Sequence, residues 1–343
     1  MSDKLITFCI PSYNSQAYLH YALDSLIPAG DKIEVLIIDD GSKDDTLKIA
    51  KEYEEKYPNI FKAVHQENKG HGGAINTALS LATGKYFKVL DSDDWVNEEG
   101  LKYLLDYIED LQKGYDVDLI LMPYRYVHSY TEDGKGKLIK YDSFITPNKV
   151  IDWSGVTRFD YGHNFTLHSV IYKTAMLKEN NITLPEHCFY EDNYFIYAPL
   201  VYVKHLIYLN KELYQYLLGR DGQSMQTANL IKRTENLERV AKLAFDSVDL
   251  TKIKKENKHL FHILRHQLCM MVVSPLMYAT FKDKAVAKKE KKEFKDSLKV
   301  GNPKQYKMII HRFQVFGPSF NNWIGKTCSR FILWVVRKYG SIN

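Results

Sequence analysis

Asp91, Asp93 and Asp94 stand together directly after an apolar stretch, Tyr86 to Leu90. Carboxylates two residues apart in a turn can face one point, where they repel unless a cation neutralises them. Hard oxygen ligands of this kind select Mg2+ or Mn2+. A divalent ion held by one or two carboxylates, with phosphate and water in its other positions, is a usual way to bind a diphosphate. The plain alternative is a solvated acidic turn that caps the next helix through Asp94. A second cluster, Asp39-Asp40-Gly41-Ser42 with Asp44, also follows an apolar run. A carboxylate there can accept hydrogen bonds from a base or a ribose, or the segment is a turn in which Ser42, Asp44 or Asp45 caps a helix. Pro11-Ser12-Tyr13-Asn14 fixes the chain and presents an aromatic face on which a base can stack. Asn68-Lys69-Gly70-His71-Gly72-Gly73-Ala74-Ile75-Asn76 is a glycine-rich turn into a helix, suited to close approach of backbone amides to phosphate. Glu191-Asp192, taken alone, reads as a helix cap with a first-turn carboxylate.

The elements that position these residues alternate. Leu5 to Ile10, Glu34 to Ile38, Phe61 to His65 and Tyr86 to Leu90 read as strands, and Ala17 to Leu26, Thr46 to Lys56 and Ala74 to Ala82 as helices. A helix at Glu98 to Gln112 and a strand at Asp118 to Met122 continue the series. This is the α/β alternation of a mostly parallel sheet, in which ligands sit at the carboxyl ends of strands. Three of the first four strand ends carry the polar clusters. The middle of the chain is rich in aromatic residues, among them Tyr124, Tyr126, Trp153, Phe159, Tyr161 and Phe165, a composition that suits a pocket wall. Beyond about residue 225 the pattern turns helical and lysine-rich, with a break at Gly301-Asn302-Pro303.

The 343 residues, 45% hydrophobic and 26% charged, exclude disordered, collagen-like and disulfide-scaffold classes. The four cysteines, Cys9, Cys188, Cys269 and Cys328, have no short spacing, so a reducing compartment is expected and a zinc ribbon is not. No secretory signal is read at the start, and the longest apolar run near the other end, Phe331 to Val336, falls far short of the roughly 20 residues that span a bilayer. The net charge of +5 is uneven: residues 281 to 343 hold 15 Lys and Arg against 4 Asp and Glu, a net of +11, which leaves −6 for the rest. A basic end of this kind favours an anionic surface.

A dinucleotide fingerprint needs glycine where Ile75 stands, and a place after the first strand; both fail, and no Walker A sequence is present. Taken in order, P-S-Y-N, D-D-G-S-x-D, the N-K-G…N turn and helix, D-S-D-D and, about 100 residues later, Glu191-Asp192 resemble the family 2 glycosyltransferases, whose catalytic domain has the GT-A fold. The resemblance covers residues 5 to about 225. It implies a catalytic domain over 1–225, with a nucleotide-binding half over about 1–95 and an acceptor half over about 96–225, followed by a helical, basic region over 226–343. It implies that Pro11, Tyr13, Asp40, Lys69, Gly70 and Asn76 contact the donor nucleotide, Asp91 and Ser92 its ribose, Asp91 and Asp93 the metal, and Asp94 with Glu191 the donor sugar or acceptor. Asp192 becomes the catalytic base. Arg220-Asp221-Gly222-Gln223-Ser224 resembles the stretch around the diphosphate, with Arg220 and Ser224 as phosphate ligands and Gln223 where some members have a metal-binding histidine. Ile75 replaces an arginine that members often carry before the helix asparagine. The Q-x-x-R-W of processive synthases is absent from the sequence, so one sugar per encounter is expected.

The expected reaction follows. A sugar hydroxyl is a weak nucleophile, so a carboxylate takes its proton during attack on the anomeric carbon, an effect worth roughly 10²–10⁴-fold. The expected enzyme moves a hexose from a UDP-sugar to a glycan or lipid-linked saccharide in cell-surface polysaccharide synthesis, with Mn2+ or Mg2+ and inversion at the anomeric carbon. The alternatives are a sugar-1-phosphate nucleotidyltransferase, which usually has a basic glycine-rich loop where Pro11 to Asn14 stand, and a non-catalytic carbohydrate- or anion-binding module. Trp323 to Lys338 reads as an interfacial helix on the inner face of the membrane, making the protein cytoplasmic and peripheral, or as a helix docked on the core or on a second subunit. The lysines between 282 and 300 have few interleaved aromatics, so no nucleic-acid partner is expected. His259, His262 and His266 share a helix face, but no carboxylate or cysteine completes a metal set.

Overall fold

The computed structural model describes residues 4–111, 116–128, 130, 136–160, 163–219 and 226–340. The chain forms two compact units, the first made of Met1–Val156, Thr166–Cys188 and Tyr202–Leu218, the second of Thr157–Phe165, Phe189–Val201 and Gly219–Asn343.

The first unit opens with strand β1 (Ile6–Ser12), helix α1 (Leu19–Asp24), β2 (Ile33–Asp39), α2 (Thr46–Lys56), β3 (Phe61–His65), α3 (Gly70–Leu81) and β4 (Tyr86–Val89). A two-residue strand β5 (Trp95–Val96), helix α4 (Glu98–Leu111), β6 (Leu119–Leu121), β7 (Tyr124–Val127), β8 (Leu138–Ile139), β9 (Val170–Lys173), α5 (Thr174–Glu179), β10 (Leu206–Tyr208) and β11 (Tyr214–Leu217) complete it. The main sheet runs β10-β6-β9-β4-β1-β2-β3. Every pairing in it is parallel except those of β9, which is antiparallel to both β4 and β6. The central strands read as nearly continuous apolar runs because helices cover both faces of such a sheet, and every residue of β1 and β4 is buried. Core residues Phe8, Ile10, Leu23, Val35, Ile37, Leu104 and Ile108 pack on one face. A small sheet, β5-β11-β7-β8, lies beside the acidic turn, with Tyr214 paired to Val96 and to Tyr124.

The second unit is helical: α6 (Asp192–Tyr197), α7 (Thr227–Lys232), α8 (Thr234–Ser247), α9 (Leu250–Glu256), α10 (Lys258–Ala279), α11 (Lys284–Gly301), α12 (Pro303–Ile310), α13 (Phe313–Phe316) and α14 (Trp323–Gly340). Asp249, Asn257, Asp283 and Asn302 start α9 to α12 by accepting backbone amides with their side chains. Helix α10 is long and apolar enough to cross a membrane by composition, yet most of it is buried as the core helix of this unit. Most lysines of α11 are solvated, but Lys295 is partly buried and Lys291 is 1% exposed. Its ammonium donates to the Thr280 hydroxyl and to the Pro318 and Phe320 carbonyls, and burial pulls its pKa down to about 8. Helix α14 turns Ile332 and Leu333 toward a cluster of Tyr190, Leu230, Leu237, Met277 and Tyr278, and leaves Trp323, Phe331 and Trp334 more than half exposed.

Candidate active site

Strands β4, β1 and β2 are adjacent and parallel, with Cys9 opposite Val89 and Ser12 opposite Asp39. Their carboxyl ends therefore deliver the three polar clusters side by side at one edge of the sheet. Pro11 has no N–H to give to β4, and the ladder between β1 and β4 stops at Cys9. The clusters are tied together. The Asn14 amide donates to the Ser42 hydroxyl (3.0 Å), the Lys43 amide to Asn14 Oδ1 (2.9 Å), and the hydroxyls of Ser15 and Ser92 lie 2.8 Å apart. Asn14 has φ of 51°, in the left-handed region that asparagine tolerates, and the Tyr13 ring beside it is 49% exposed.

Asp40 is buried, and its carboxylate accepts from the amides of Lys69 and Gly70, both at 2.8 Å, and from Gln66 Nε2 at 2.7 Å. A side chain from the residue just after β2 thus caps α3, placing negative charge at the positive end of the helix. The turn that the sequence offers as a phosphate cradle gives these two amides to Asp40. Gly70 has φ of +77°, and a Cβ there would lie 3.1 Å from the His187 amide, so both conformation and space call for glycine. Lys69 reaches to 4.0 Å from Glu186, both half-exposed. Asn76 uses its side-chain amide as a clamp: Nδ2 donates to the Leu184 carbonyl (2.9 Å) and Oδ1 accepts from the Leu184 amide (2.8 Å). Asp44 caps α2 through the Thr46 amide.

The acidic turn is more than a cap. Helix α4 begins at Glu98, where Asn97 Oδ1 accepts from the Gly100 amide, so Asn97 does the capping that Asp94 was the sequence candidate for. Asp94 is fully buried and accepts from the Tyr214 hydroxyl (2.6 Å) and the Leu217 amide (2.8 Å). Burial and the neighbouring Asp93 and Asp91 charges hold its carboxyl well above the usual range. Burial pushes Asp91 upward too, but the hydrogen bond and charge of His71, 3.0 Å away, and the Lys88 ammonium outweigh it and keep Asp91 low. Asp93 is half-buried and its carbonyl accepts from the Tyr130 hydroxyl (3.2 Å). Ligand atoms of Asp91, Asp94 and His168 lie within 4.8 Å of one another. The carboxylate-rich donor set fits a hard divalent cation, an imidazole nitrogen of His168 belongs to it, and His168 Nδ1 is buried without a hydrogen-bond partner.

Sequence reasoning missed Lys88, His168, His71 and Tyr214. Lys88 is a lysine in the middle of a buried strand: its ammonium donates to the carbonyls of Leu167 (2.6 Å), His168 (2.9 Å) and Val170 (3.3 Å) and lies 4.8 Å from the centre of the Tyr214 ring. Burial lowers its pKa to about 7 against the pull of Asp91 and Asp94. A cation in an otherwise perfect apolar strand is the one signal that could have pointed to it.

In the second unit, Glu191 is buried at the N-cap position of α6 and makes no side-chain cap, while Asp192, partly exposed, accepts from Asn193 Nδ2 at 3.1 Å. Tyr190 just before them has φ of +68°, and the Arg233 guanidinium stands 3.5 Å above the ring of Phe189. Arg220, Ser224 and Gln223 lie outside the described residues. Of the histidine trio, His266 bonds the His163 carbonyl and His262 faces Arg158.

The fold is GT-A. It resembles the crystal structure of S. aureus TarS residues 1–349 with a TM-score of 0.66 at 22% identity over 97% of this chain and 91% of that one. It resembles the complex of the same fragment with UDP-GlcNAc with a TM-score of 0.65, again at 22% identity, over 97% of this chain and 92% of that one. In sequence, EpsH of Bacillus subtilis (strain 168) is 25% identical over 79% of this chain and 78% of its own length. The poly(ribitol-phosphate) beta-glucosyltransferase of Bacillus spizizenii is 30% identical over 65% of this chain, which spans 34% of that enzyme's length. Residues 7–174 match the family described as Glycosyl transferase family 2, and the chain is a glycosyltransferase.

Proposed function

We propose that this chain transfers a hexose from a UDP-sugar to a hydroxyl of a glycan or lipid-linked saccharide in cell-surface glycan synthesis, with inversion at the anomeric carbon. The observation that carries the reading is the convergence of the clusters that follow β1, β2 and β4 at one sheet edge, with the exposed Tyr13 in one cluster and the Asp91–Asp94 carboxylates in another, the two clusters joined through the Ser15 and Ser92 hydroxyls. Support comes from the TarS fragment, which has this fold and was crystallised with UDP-GlcNAc. In this reading Tyr13 stacks on the base, with Pro11 and the Lys69-Gly70 turn beside it. Asp40 and Asn76 complete the nucleotide contacts, Asp40 while capping α3 and Asn76 while clamping Leu184.

Asp91 and Asp93 are the residues to hold Mn2+ or Mg2+, with Ser92 beside the ribose and Asp94 toward the donor sugar. The ion would supply positive charge to a diphosphate leaving group. A mannosyltransferase of this fold, PcManGT from Pyrobaculum calidifontis, was crystallised with GDP-Man and Mn2+. Asp192 takes the proton of the attacking hydroxyl, with Glu191 beside it, and Arg220 and Ser224 complete the phosphate contacts. The 1–225 region is then the catalytic domain. The 226–343 region, net basic at its end and carrying exposed Trp323, Phe331 and Trp334, would rest on the inner face of the membrane, peripherally.

The test is UDP release from a panel of UDP-sugars with Mn2+ or Mg2+, on the parent chain, Asp93→Ala and Asp192→Asn. One sugar hydrolysed slowly, with loss on chelation and in Asp93→Ala, supports the donor and the metal. Transfer to an acceptor that survives in Asp192→Asn sinks the assignment of the base. No turnover or binding of any nucleotide sugar sinks the donor assignment.

A further inference from the structure

We propose that His168 is a nitrogen ligand of the divalent cation at the Asp91–Asp94 carboxylate cluster, held on station by Lys88. The inference rests on the metal reading above and adds a residue to it.

Topology brings His168 there. β9 is the reversed strand of the sheet, paired to β4 with Tyr86 opposite Lys173 and Phe87 opposite Tyr172. Continued past the last recorded pair, that register sets His168 across from Asp91. Because β9 is antiparallel, its amino end, not its carboxyl end, lies at the edge where β4 delivers its aspartates, and the turn just before β9 reaches the site.

That turn is fixed in place. The Lys88 ammonium takes the carbonyls of Leu167, His168 and Val170, three acceptors from one turn. The imidazole is stacked on Tyr216 (centroids 4.2 Å apart, planes at 22°) and bordered by Tyr214 at 4.9 Å and Tyr124 at 5.1 Å. A ring so clamped cannot swing away to find another partner. Its Nδ1 is nevertheless buried with no hydrogen bond. Buried polar atoms are nearly always paired, and an unpaired nitrogen on an imidazole that reaches a carboxylate cluster is what a cation ligand would look like without its cation. The geometry agrees, since ligand atoms of Asp91, Asp94 and His168 fall within 4.8 Å of one another. An imidazole among carboxylates shifts preference from Mg2+ toward Mn2+ and other transition metals.

The test uses the full chain loaded with Mn2+ and read by pulsed electron paramagnetic resonance for modulation by a directly bound ¹⁴N. The parent chain is expected to show it. His168→Phe, and His168→Gln as a second variant should the first fold poorly, are expected to lose it and to bind Mn2+ on the order of 10-fold more weakly, with a smaller loss for Mg2+. Lys88→Met is expected to keep Mn2+ bound through the carboxylates while losing the nitrogen modulation, which a merely structural lysine would not do. His71→Gln is expected to keep the signal, because His71 is already committed to Asp91. Bound Mn2+ without nitrogen modulation in the parent chain, or modulation that survives in His168→Phe, overturns the assignment while leaving the metal reading intact. Failure of Mn2+ to bind at all overturns both.

Discussion

The Tyr214 hydroxyl joins the two ends of the acidic turn: it donates to the Asp94 carboxylate at 2.6 Å and accepts from the Asp91 amide at 3.1 Å. Tyr214 lies 120 residues further along the chain than Asp94, on a strand whose partner β5 immediately follows the turn. The shape of the carboxylate cluster is therefore set by the small sheet as much as by the strand that carries it.

Tyr214→Phe keeps the ring and removes that link. Asp94 is left buried with the Leu217 amide as its remaining recorded donor, and a buried acceptor deprived of a donor costs about 1–3 kcal/mol. Chemical denaturation should show a loss in that range, together with weaker donor binding and an unchanged far-ultraviolet spectrum.

Asp40→Ala removes the acceptor for the Lys69 and Gly70 amides. Loss of a helix cap is worth about 0.5–2 kcal/mol, and Asp40→Asn, which retains one acceptor oxygen, should lose less. A urea midpoint equal in both variants and in the parent chain would show that the cap does not stabilise α3.

Glu238 titrates in an unusual range. Burial, helped by the Glu290 charge, raises its carboxyl to about 7, against about 4.3 in an unfolded chain. A folded value above the unfolded one means that stability is complete below about 4.3 and falls as pH rises toward 7. Glu238→Gln should therefore match the parent chain near pH 4 and melt at a higher temperature near pH 8. A melting difference that does not grow across that span argues against the raised value.

The exposed aromatic face of α14 predicts membrane binding. Sedimentation with vesicles of phosphatidylcholine plus phosphatidylglycerol should pull down the parent chain, less at high salt, and pure phosphatidylcholine should pull down little. Phe331→Glu with Trp334→Glu should abolish the effect without lowering stability, because both side chains are more than half exposed. Equal recovery of parent and variant would end the membrane reading.

Much of the nucleotide half was legible because short apolar strands and turn-forming clusters announce themselves locally. β3 runs over Phe61–His65 and α2 over Thr46–Lys56, as the periodicity predicts. What the sequence could not display were partners brought from afar. Asp94 reads as a cap until Tyr214 and Leu217 arrive from the small sheet, and the clamp of Asn76 on Leu184, 108 residues away, is invisible along the chain. The apolar content of α10 was diluted on paper by its histidines and Arg265, so its role as a core helix emerged only from packing.

The reversed direction of β9 has a consequence for how such an enzyme can diversify. In a purely parallel sheet each contribution to the working edge comes after a strand. Here one comes before it, from a turn whose carbonyls Lys88 holds. Exchanges in the turn from Thr166 to Ser169 can thus reshape what the site admits, while the aspartates that follow β4 stay untouched.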